Sequence, residues 1–287
     1  MVLEAASLLS WFETAGRDLP WRRTRDPWAV LVSELMLQQT QVARVVDRWG
    51  GFLERFPEPA ACATAGAGAV VGEWAGLGYN RRAVALHRCA CVVVEHHAGR
   101  VPGSLDALLA LPGVGPYTAR AVLAFAFERD VGVVDTNAAR VLARQAGRSL
   151  AAREVQAIAD ASVPAGRGWA WASALLDLGA TVCTARVPGC PVCPARSTCA
   201  WAAAGCPAPD PAAGSAGVAG RQAPFAGSDR QGRGRLVDAL RSGPVAAAEV
   251  ATIMGWPGDG QRAARVAAAV VADGLARRTA DGALVLP

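Results

Sequence analysis

The chain has 287 residues, of which 52% are apolar and 18% charged, and its formal net charge of +5 suits a polyanionic partner such as nucleic acid. Its length allows one substantial domain and a smaller one, and no apolar run approaches the ~20 residues of a membrane-spanning helix, which excludes a transmembrane protein. All 29 Lys or Arg positions are arginine, which excludes chemistry that needs a lysine amine, including Schiff-base catalysis.

The N-terminal residues lack the basic segment and the continuous apolar core of a signal peptide, so we expect a cytoplasmic protein. Cysteines in that compartment are usually reduced, and this chain has eight. Clustered cysteines in such a chain are more typical of metal ligands than of disulfides. From residue 3 to about 200, apolar residues recur at spacings of three and four, which predicts an all-α region.

The first chemistry-bearing residue is Glu34, a carboxylate in the otherwise apolar helix predicted around Trp28-Ala-Val-Leu-Val-Ser-Glu-Leu-Met-Leu-Gln-Gln-Thr-Gln41. At about 100° per residue, Glu34, Gln38 and Gln41 form one narrow polar stripe. A carboxylate on a buried helix is costly unless it is paired or has a function. We therefore interpret Glu34 as functional, with a structural role as the alternative.

A glycine-rich turn follows in Leu111-Pro-Gly-Val-Gly-Pro-Tyr-Thr-Ala-Arg120, after a short helix predicted over 105–110. Gly113 and Gly115 let the backbone turn tightly, and the N–H groups at the start of the next helix can face an anion such as a DNA phosphate. The pattern predicts a helix-hairpin-helix. A glycine-rich turn between helices without any ligand is equally compatible with it.

Asp135 lies in Val133-Val-Asp-Thr-Asn-Ala-Ala-Arg140, between an apolar stretch and a new helix. This is the usual place of an N-cap residue, whose side chain accepts a hydrogen bond from the first turn. A capping role and a functional role are equally compatible with the local sequence.

Four cysteines, Cys183, Cys190, Cys193 and Cys199, follow the spacing C-x6-C-x2-C-x5-C in a segment rich in proline and glycine. Four thiolates can hold a [4Fe–4S] cluster, and a four-cysteine zinc site is the alternative. The spacing strongly indicates metal binding, and it favours iron–sulfur over zinc moderately.

The rest of the chain divides into a linker and a small module. Residues from about 205 to 227 are dominated by Ala, Gly, Pro and Ser, which predicts a linker. Three short helices are predicted at 233–242, 245–254 and 260–273, followed by two strand-like runs around Asp281-Gly282. Three helices and a hairpin outline a winged helix. DNA binding and packing against the rest of the protein are equally compatible roles.

Together these segments resemble the helix-hairpin-helix glycosylases of base excision repair, in the branch that carries an iron–sulfur cluster. The resemblance runs from about residue 19 to Cys199 and includes Gly-Leu-Gly-Tyr79 and Val-Asp-Thr-Asn137. Within this family the chain is most similar to the MutY-type adenine glycosylases, which remove adenine mispaired with guanine or 8-oxoguanine. Glu34 and the string Leu37-Gln-Gln-Thr-Gln41 carry that choice.

The resemblance implies an all-α helix-hairpin-helix DNA glycosylase fold, a six-helix barrel joined to a helical iron–sulfur cluster domain, with the winged-helix-like α+β module as a C-terminal addition. The predicted boundaries are 1–204 for the catalytic region, with 21–135 as the barrel and 1–20 plus 136–204 as the cluster domain, 205–229 for the linker, and 230–287 for the module.

The same resemblance assigns the chemistry. Glu34 is expected to donate a proton to N7 of adenine and later to activate water, and Asp135 to stay ionised and stabilise the cationic sugar. Tyr117 and Asn137 are expected to orient the two carboxylates. Family members that cleave the strand use a lysine at the position of Tyr117, so this chain is predicted to be monofunctional.

Duplex DNA with A:8-oxoguanine or A:G mismatches is the implied partner, bound by a monomer at the nucleoid, with the adenine flipped out of the helix. Residues at family positions that contact the opposite purine are Gln39, Thr40, Leu77 and Tyr79, although Tyr79 also suits a half-buried core aromatic. Phosphate contacts are predicted at Gly113 and Gly115, with further candidates at Arg22, Arg23, Arg25, Arg81 and Arg82.

Two alternatives remain open. A thymine-specific T:G mismatch glycosylase of the same superfamily also has a tyrosine in the hairpin, although the Gln-Gln-Thr-Gln string argues against it. A catalytically silent iron–sulfur DNA-binding protein is the other alternative. The short tail differs from the β-rich pyrophosphatase-like domain that reads 8-oxoguanine in many family members.

Overall fold

The computed structural model describes residues 4–215 and 224–287, which are mostly helical and include one two-stranded sheet. The all-α prediction for the region up to about residue 200 is confirmed. No helix in the described residues is long and apolar enough to cross a membrane. The predicted linker, 205–229, includes 216–223, which lie outside the described residues.

The elements follow one another along the chain with short connections. The helices are α1 (Ala5–Ala15), α2 (Pro27–Leu37), α3 (Val42–Arg55), α4 (Pro59–Glu73), α5 (Arg81–His96), α6 (Leu105–Leu109), α7 (Pro116–Phe125), α8 (Thr136–Ala146), α9 (Ala152–Ala161), α10 (Gly168–Asp177), α11 (Ala200–Ala203), α12 (Asp229–Ser242), α13 (Val250–Met254) and α14 (Gly260–Ala272). The strands are β1 (Arg277–Arg278) and β2 (Leu284–Val285). A π-helical turn, Leu178–Val182, continues α10.

The chain divides into two compact units. The first comprises the described parts of Met1–Val30, Gly103–Leu105 and Gly115–Arg221. The second comprises the described parts of Leu31–Pro102, Asp106–Val114 and Gln222–Pro287.

The apolar core of the first unit includes residues of α1, α8 and α10. Leu8, Leu142 and Trp171 are at most 1% exposed. Helix α8 begins at its N-cap Asp135, whose side chain accepts a hydrogen bond from the N–H of Ala138. Core packing and the cap together fix the helix end at which Asp135 stands.

Asp177, at the end of α10, is a fully buried carboxylate in the first unit. Its oxygens accept hydrogen bonds of 2.7–2.8 Å from the guanidinium groups of Arg17 and Arg22 and from the backbone N–H of Arg17. Burial raises the pKa of Asp177, but the hydrogen bond and charge of Arg22 outweigh it, so the pKa lies below its ordinary value.

The first residues of the predicted linker pack within the first unit. Asp210 forms an ion pair of 2.6 Å with Arg144. Ser215 is 6% exposed, and its hydroxyl accepts a hydrogen bond from the N–H of Leu150 at 3.2 Å. These contacts depend on single polar side chains, which a composition argument does not detect.

An aromatic cluster marks the core of the second unit, where α3 and α4 supply its rings. Phe52 meets Phe56 and Trp74 edge to face, with ring centroids 4.9 and 6.0 Å apart. The indole N–H of Trp74 donates to the carbonyl oxygen of Gly78 at 3.3 Å. The core is therefore tied directly to residues 76–80, which we call the 76–80 loop.

The C-terminal module has the predicted winged-helix-like form, with α12, α13 and α14 followed by an antiparallel hairpin in which Arg277 pairs with Val285. The second helix was predicted to begin at Val245, and this was wrong. Val245 instead exchanges two backbone hydrogen bonds of 2.8 Å with Leu284, which adds a bridge to the hairpin. Helical structure starts later, with a 3-10 turn followed by α13.

Replacing Asp177 with asparagine is expected to destabilise the protein by about 3 kcal/mol or more at neutral pH, because it leaves buried guanidinium groups without their counter-charge. The folded pKa of Asp177 is lowered, so its stabilising contribution exists above its unfolded pKa and is lost as the pH falls through the folded value. Urea unfolding of both proteins at pH 7 and at stepwise lower pH measures this.

The matched control is Asp18→Asn, which removes a carboxylate from the exposed pair with Arg23. Little change in stability is expected there, because solvent screens exposed ion pairs. Equal effects of the two substitutions would contradict the role given to burial.

Candidate functional site

Asp135 is a buried carboxylate with both oxygens engaged. One oxygen accepts a hydrogen bond from the N–H of Ala138 at 2.7 Å, and the other accepts one from the side-chain amide of Asn137 at 2.8 Å. Burial raises the pKa of Asp135, and these hydrogen bonds and the charge of Arg140 oppose that rise without cancelling it. The same side chain therefore caps α8 and forms a rigidly oriented carboxylate, so the capping and functional interpretations are compatible.

Arg140 holds Asn137 from the next turn of α8. Its guanidinium donates to the side-chain oxygen of Asn137 at 2.8 Å, to the carbonyl oxygen of Gly179 at 2.6 Å and to that of Cys183 at 2.8 Å. A continuous path of hydrogen bonds thus joins Asp135 to the backbone of the first predicted metal ligand. The sequence analysis missed Arg140, although its spacing of three from Asn137 on a helix was a usable signal.

Gly179 permits this arrangement because it lies against the start of α8. A Cβ at Gly179 would lie 2.7 Å from the Cβ of Asn137 and 2.9 Å from its carbonyl oxygen. Gly179 belongs to the π-helical turn after α10, and such turns frequently occur at functional sites.

The four cysteines predicted as metal ligands, Cys183, Cys190, Cys193 and Cys199, line one pocket in the first unit, with an empty volume of about 380 Å³. Burial, with a smaller effect of the neighbouring sulfurs, raises the pKa of the Cys193 thiol to about 11. Arg144 donates to the sulfur of Cys183 at 3.3 Å, a contact that stabilises a thiolate. Among the described residues, no three His, Cys, Asp or Glu side chains lie close enough to hold one metal ion.

Glu34 lies on α2 in the second unit and is 3% exposed. The preceding Ser33 and the following Leu35 are fully buried. The predicted burial of this carboxylate on an apolar helix is therefore observed.

Arg82 is the residue of the second unit that the sequence analysis interpreted least well. Its guanidinium is buried and donates to the carbonyl oxygens of Leu35 and Met36 at the end of α2, at 2.9 and 2.7 Å. It also donates to the carbonyl oxygens of Leu77 and Gly78 in the 76–80 loop, at 3.1 and 2.8 Å. This burial argues against the phosphate contact predicted for Arg82 and makes it a structural link between two segments.

The residues predicted to contact the opposite purine differ in exposure. Gln39 is exposed and Tyr79 is 44% exposed, and both have positive φ, +55° and +45°. Such φ values are unfavourable for residues other than glycine and cluster at functional sites. Leu77 is only 2% exposed, and its carbonyl oxygen accepts a hydrogen bond from the hydroxyl of Thr40 at 3.0 Å. Tyr79 is therefore a surface residue and not the half-buried core aromatic considered as the alternative.

The hairpin turn uses its two glycines differently. Gly113 has φ +80°, and a Cβ there would lie 2.8 Å from the Cβ of Ala85. Gly115 is the N-cap of α7, with open space around the position of its missing Cβ. Tyr117 follows in the first turn of α7 and is half-buried against the apolar core of the first unit.

The remaining arginines predicted as phosphate contacts all have protein partners. Arg22 is held by buried Asp177, which argues against a phosphate contact. The others form ion pairs at exposed positions, Arg23 with Asp18, Arg25 with Glu128 and Arg81 with Asp273.

Known proteins share this combination of features. Residues 32–164 match the family described as HhH-GPD superfamily base excision DNA repair protein. An adenine DNA glycosylase from Mycolicibacterium smegmatis is 43% identical to this chain, over 100% of the chain and 97% of that protein. The chain belongs to the HhH-GPD superfamily, in its adenine DNA glycosylase family. The resemblance stated from the motifs is confirmed.

Other relatives of this HhH-GPD protein cover less of it. A thymine/uracil-DNA glycosylase from Pyrobaculum aerophilum is 36% identical over 68% of the chain and 90% of that protein. The solved structure of a thermostable thymine-DNA glycosylase has a TM-score of 0.64 at 30% identity, over 68% of the chain and 93% of that structure. The Mycolicibacterium match, in contrast, includes the C-terminal module.

Gly179→Ala is expected to lower the thermal midpoint, because the added methyl group would overlap Asn137 and displace the start of α8 or the π-helical turn. Gly51→Ala is the matched control, in mid-helix of α3 with no atom within 4 Å of the added Cβ. It should stabilise the protein by about 0.5–1 kcal/mol. Thermal unfolding of the two variants measures this, and a stabilised Gly179 variant would contradict the close approach.

Proposed function

We propose that this HhH-GPD protein is a monofunctional adenine DNA glycosylase that acts on adenine opposite 8-oxoguanine or guanine in duplex DNA. The observation that carries the proposal is the 43% identity over the whole chain to a curated adenine DNA glycosylase. The two buried carboxylates, Glu34 and Asp135, supply groups suited to breaking a glycosidic bond.

Glu34 is assigned as the general acid. Adenine is a poor leaving group as a neutral base, so it must gain a proton as the bond between C1′ and N9 breaks. In our scheme Glu34 gives its proton to N7, and the electron pair of the broken bond stays with adenine. The resulting Glu34 carboxylate then takes a proton from the water whose oxygen bonds to C1′, which restores the acid.

Asp135 is assigned to stabilise the cationic sugar. Two N–H donors hold its oxygens, from Ala138 and Asn137, and both favour the charged form. A carboxylate fixed in this way needs no reorganisation when positive charge develops at C1′. Asn137 and, behind it, Arg140 act as positioning residues, and Tyr117 is proposed to orient the carboxylates as well.

DNA binding is assigned to surfaces on both sides of the hairpin turn sequence. Gly113 and Gly115 are proposed to approach a phosphate through backbone N–H groups. Gln39, Thr40, Leu77 and Tyr79 are proposed to face the opposite purine once the adenine is flipped. Of these four, Gln39 and Tyr79 are exposed and available to contact a base. Base release at a nucleoid by a monomer needs no further protein.

Cys183, Cys190, Cys193 and Cys199 are proposed to hold a [4Fe–4S] cluster. Two thiolates bound to one zinc ion lie within about 4 Å of each other. The four cysteines surround one pocket without forming such a tight group, and this suits a larger inorganic core. The cluster would cross-link the loop that follows α10, and hydrolysis of a glycosidic bond requires no electron from it.

A thymine-specific glycosylase is the second candidate function. The solved thymine-DNA glycosylase with a TM-score of 0.64 favours it for the part of the chain that the match covers. The two candidates differ in the excised base, so substrates distinguish them directly.

Single-turnover base release is the decisive measurement, on labelled duplexes with A opposite 8-oxoguanine, A opposite G and T opposite G. We expect adenine release only, with strand breaks that appear after alkali. Glu34→Gln should slow release by about 10²–10⁴-fold because no acid protonates the leaving base. Asp135→Asn should slow it by about 10²-fold or more because a neutral amide does not balance the sugar cation.

Glu54→Gln is the control, an exposed carboxylate on α3 that should leave the rate unchanged. Thymine release alone would move the protein to the second candidate function. Full activity of Glu34→Gln would contradict the assignment of the acid, and no release from any duplex would favour a silent binding protein.

The cluster proposal predicts absorption near ~400 nm and about four iron atoms per chain. Cys190→Ser should lower both because it removes a ligand. Cys206→Ser, at an exposed cysteine that hydrogen-bonds with Cys190 but lies outside the four, should lower neither. Stoichiometric zinc without this absorption would overturn the iron–sulfur assignment.

A further inference from the structure

The C-terminal module packs against both helices that flank the 76–80 loop. Asp273, at the end of α14, forms an ion pair of 2.8 Å with Arg81, the first residue of α5. A Cβ at Gly68 in α4 would lie 2.3 Å from the carbonyl oxygen of Pro287. The last residue of the chain is therefore in direct contact with α4.

Arg241, on α12, reaches the 76–80 loop itself. Its guanidinium donates to the carbonyl oxygen of Val71 at 3.0 Å and to the side-chain oxygen of Asn80 at 2.9 Å. A further hydrogen bond joins it to Asp238 on its own helix. The side chain of Arg241 is only 12% exposed, so these contacts are sheltered from water and are worth more than surface contacts.

Tyr79 is thereby held from both sides. The positive φ of Tyr79 is unfavourable and persists only where neighbouring contacts enforce it. On one side Arg82 binds the carbonyl oxygens of Leu77 and Gly78. On the other side Arg241 binds Asn80, the residue that follows Tyr79. The first contact comes from α5, and the second comes from the C-terminal module.

The exposed face of the module is poorly equipped to read bases. In a helix-turn-helix arrangement the second helix enters the groove, and here that helix is α14. Its exposed positions are glycine or alanine apart from Gln261 and Arg265. Arg265 forms an ion pair of 2.7 Å with Asp229. These observations favour the packing role for the module over direct readout of sequence.

We propose that Arg241 is a positioning residue through which the C-terminal module holds the 76–80 loop, so that Tyr79 meets the base opposite adenine in a fixed orientation. The inference rests on the proposed function for its substrate. Discrimination between 8-oxoguanine and guanine then depends on the contact between Arg241 and Asn80, at a distance in sequence from any residue that touches DNA.

Arg241→Met tests this, because it keeps the aliphatic stem and removes every hydrogen bond. The ratio of single-turnover rates for adenine opposite 8-oxoguanine and opposite guanine should change by about tenfold, the effect of one charge-assisted hydrogen bond. Arg241→Lys should restore part of the ratio, since an ammonium group can still donate to Asn80. A merely structural role would lower both rates equally and leave the ratio unchanged, which would overturn the proposal.

Arg235→Met is the matched control, on the same helix and with the same loss of charge. Arg235 is exposed, and its hydrogen bond, 3.4 Å to the carbonyl oxygen of Met254, stays inside the module. It should leave the ratio unchanged. Asn80→Ala removes the same contact from the loop side without altering the module, so it keeps the test informative if Arg241→Met folds poorly. It should reproduce the Arg241→Met effect, and the double variant should add nothing further.

Hydrogen exchange separates this proposal from the proposed function. The backbone amides of residues 77–83 should exchange faster in Arg241→Met than in Arg235→Met, in the absence of DNA. Unchanged exchange would overturn the positioning role whatever the enzyme does. If the wild-type protein releases no adenine, the proposed function fails, and faster exchange would still support the contact.

Discussion

The guanidinium of Arg82 organises the surface on which the proposed contacts to the opposite purine lie. The last carbonyl groups of a helix have no partner within that helix, and they form the negative end of its dipole. Arg82 satisfies two of these at the end of α2 and two more in the 76–80 loop. Burial lowers the pKa of Arg82 to about 10, so it remains charged at neutral pH. The segments that carry Gln39 and Tyr79 are thus fixed by one cation.

The first unit uses the same device around its carboxylate. Arg140 joins the side chain of Asn137 to carbonyl oxygens of Gly179 and Cys183, and Asn137 in turn orients Asp135. Five N–H donors in a planar fork let one arginine satisfy several acceptors that come from different segments. A lysine offers a compact charge without that fixed geometry. In a chain without lysine, the buried cationic links are necessarily arginines, and their geometry decides where the functional side chains stand.

Local patterns in the sequence predicted the features that depend on local rules. The cap at Asp135, the glycine-rich turn, the cysteine spacing, the polar stripe with Glu34 and the hairpin at Asp281 all follow from neighbours in sequence, and the structure has each of them. The roles of Arg82 and Arg140 depend on partners far along the chain. The same applies to Val245, which pairs with Leu284 across the module. Charge and periodicity do not distinguish such an arginine from a solvated one, so its burial had to be observed.

A rigid 76–80 loop has a physical advantage for an enzyme that must flip a base. Extruding the adenine costs stacking and pairing energy, and a side chain that enters or borders the gap offsets that cost only if little is lost in ordering it. The positive φ of Tyr79 and Gln39 shows that their orientation is imposed by the fold before DNA is bound. Because the carbonyl groups on one side of Tyr79 and the amide on the other are bound by separate arginines, the orientation can be altered at either contact without changing the core of the second unit.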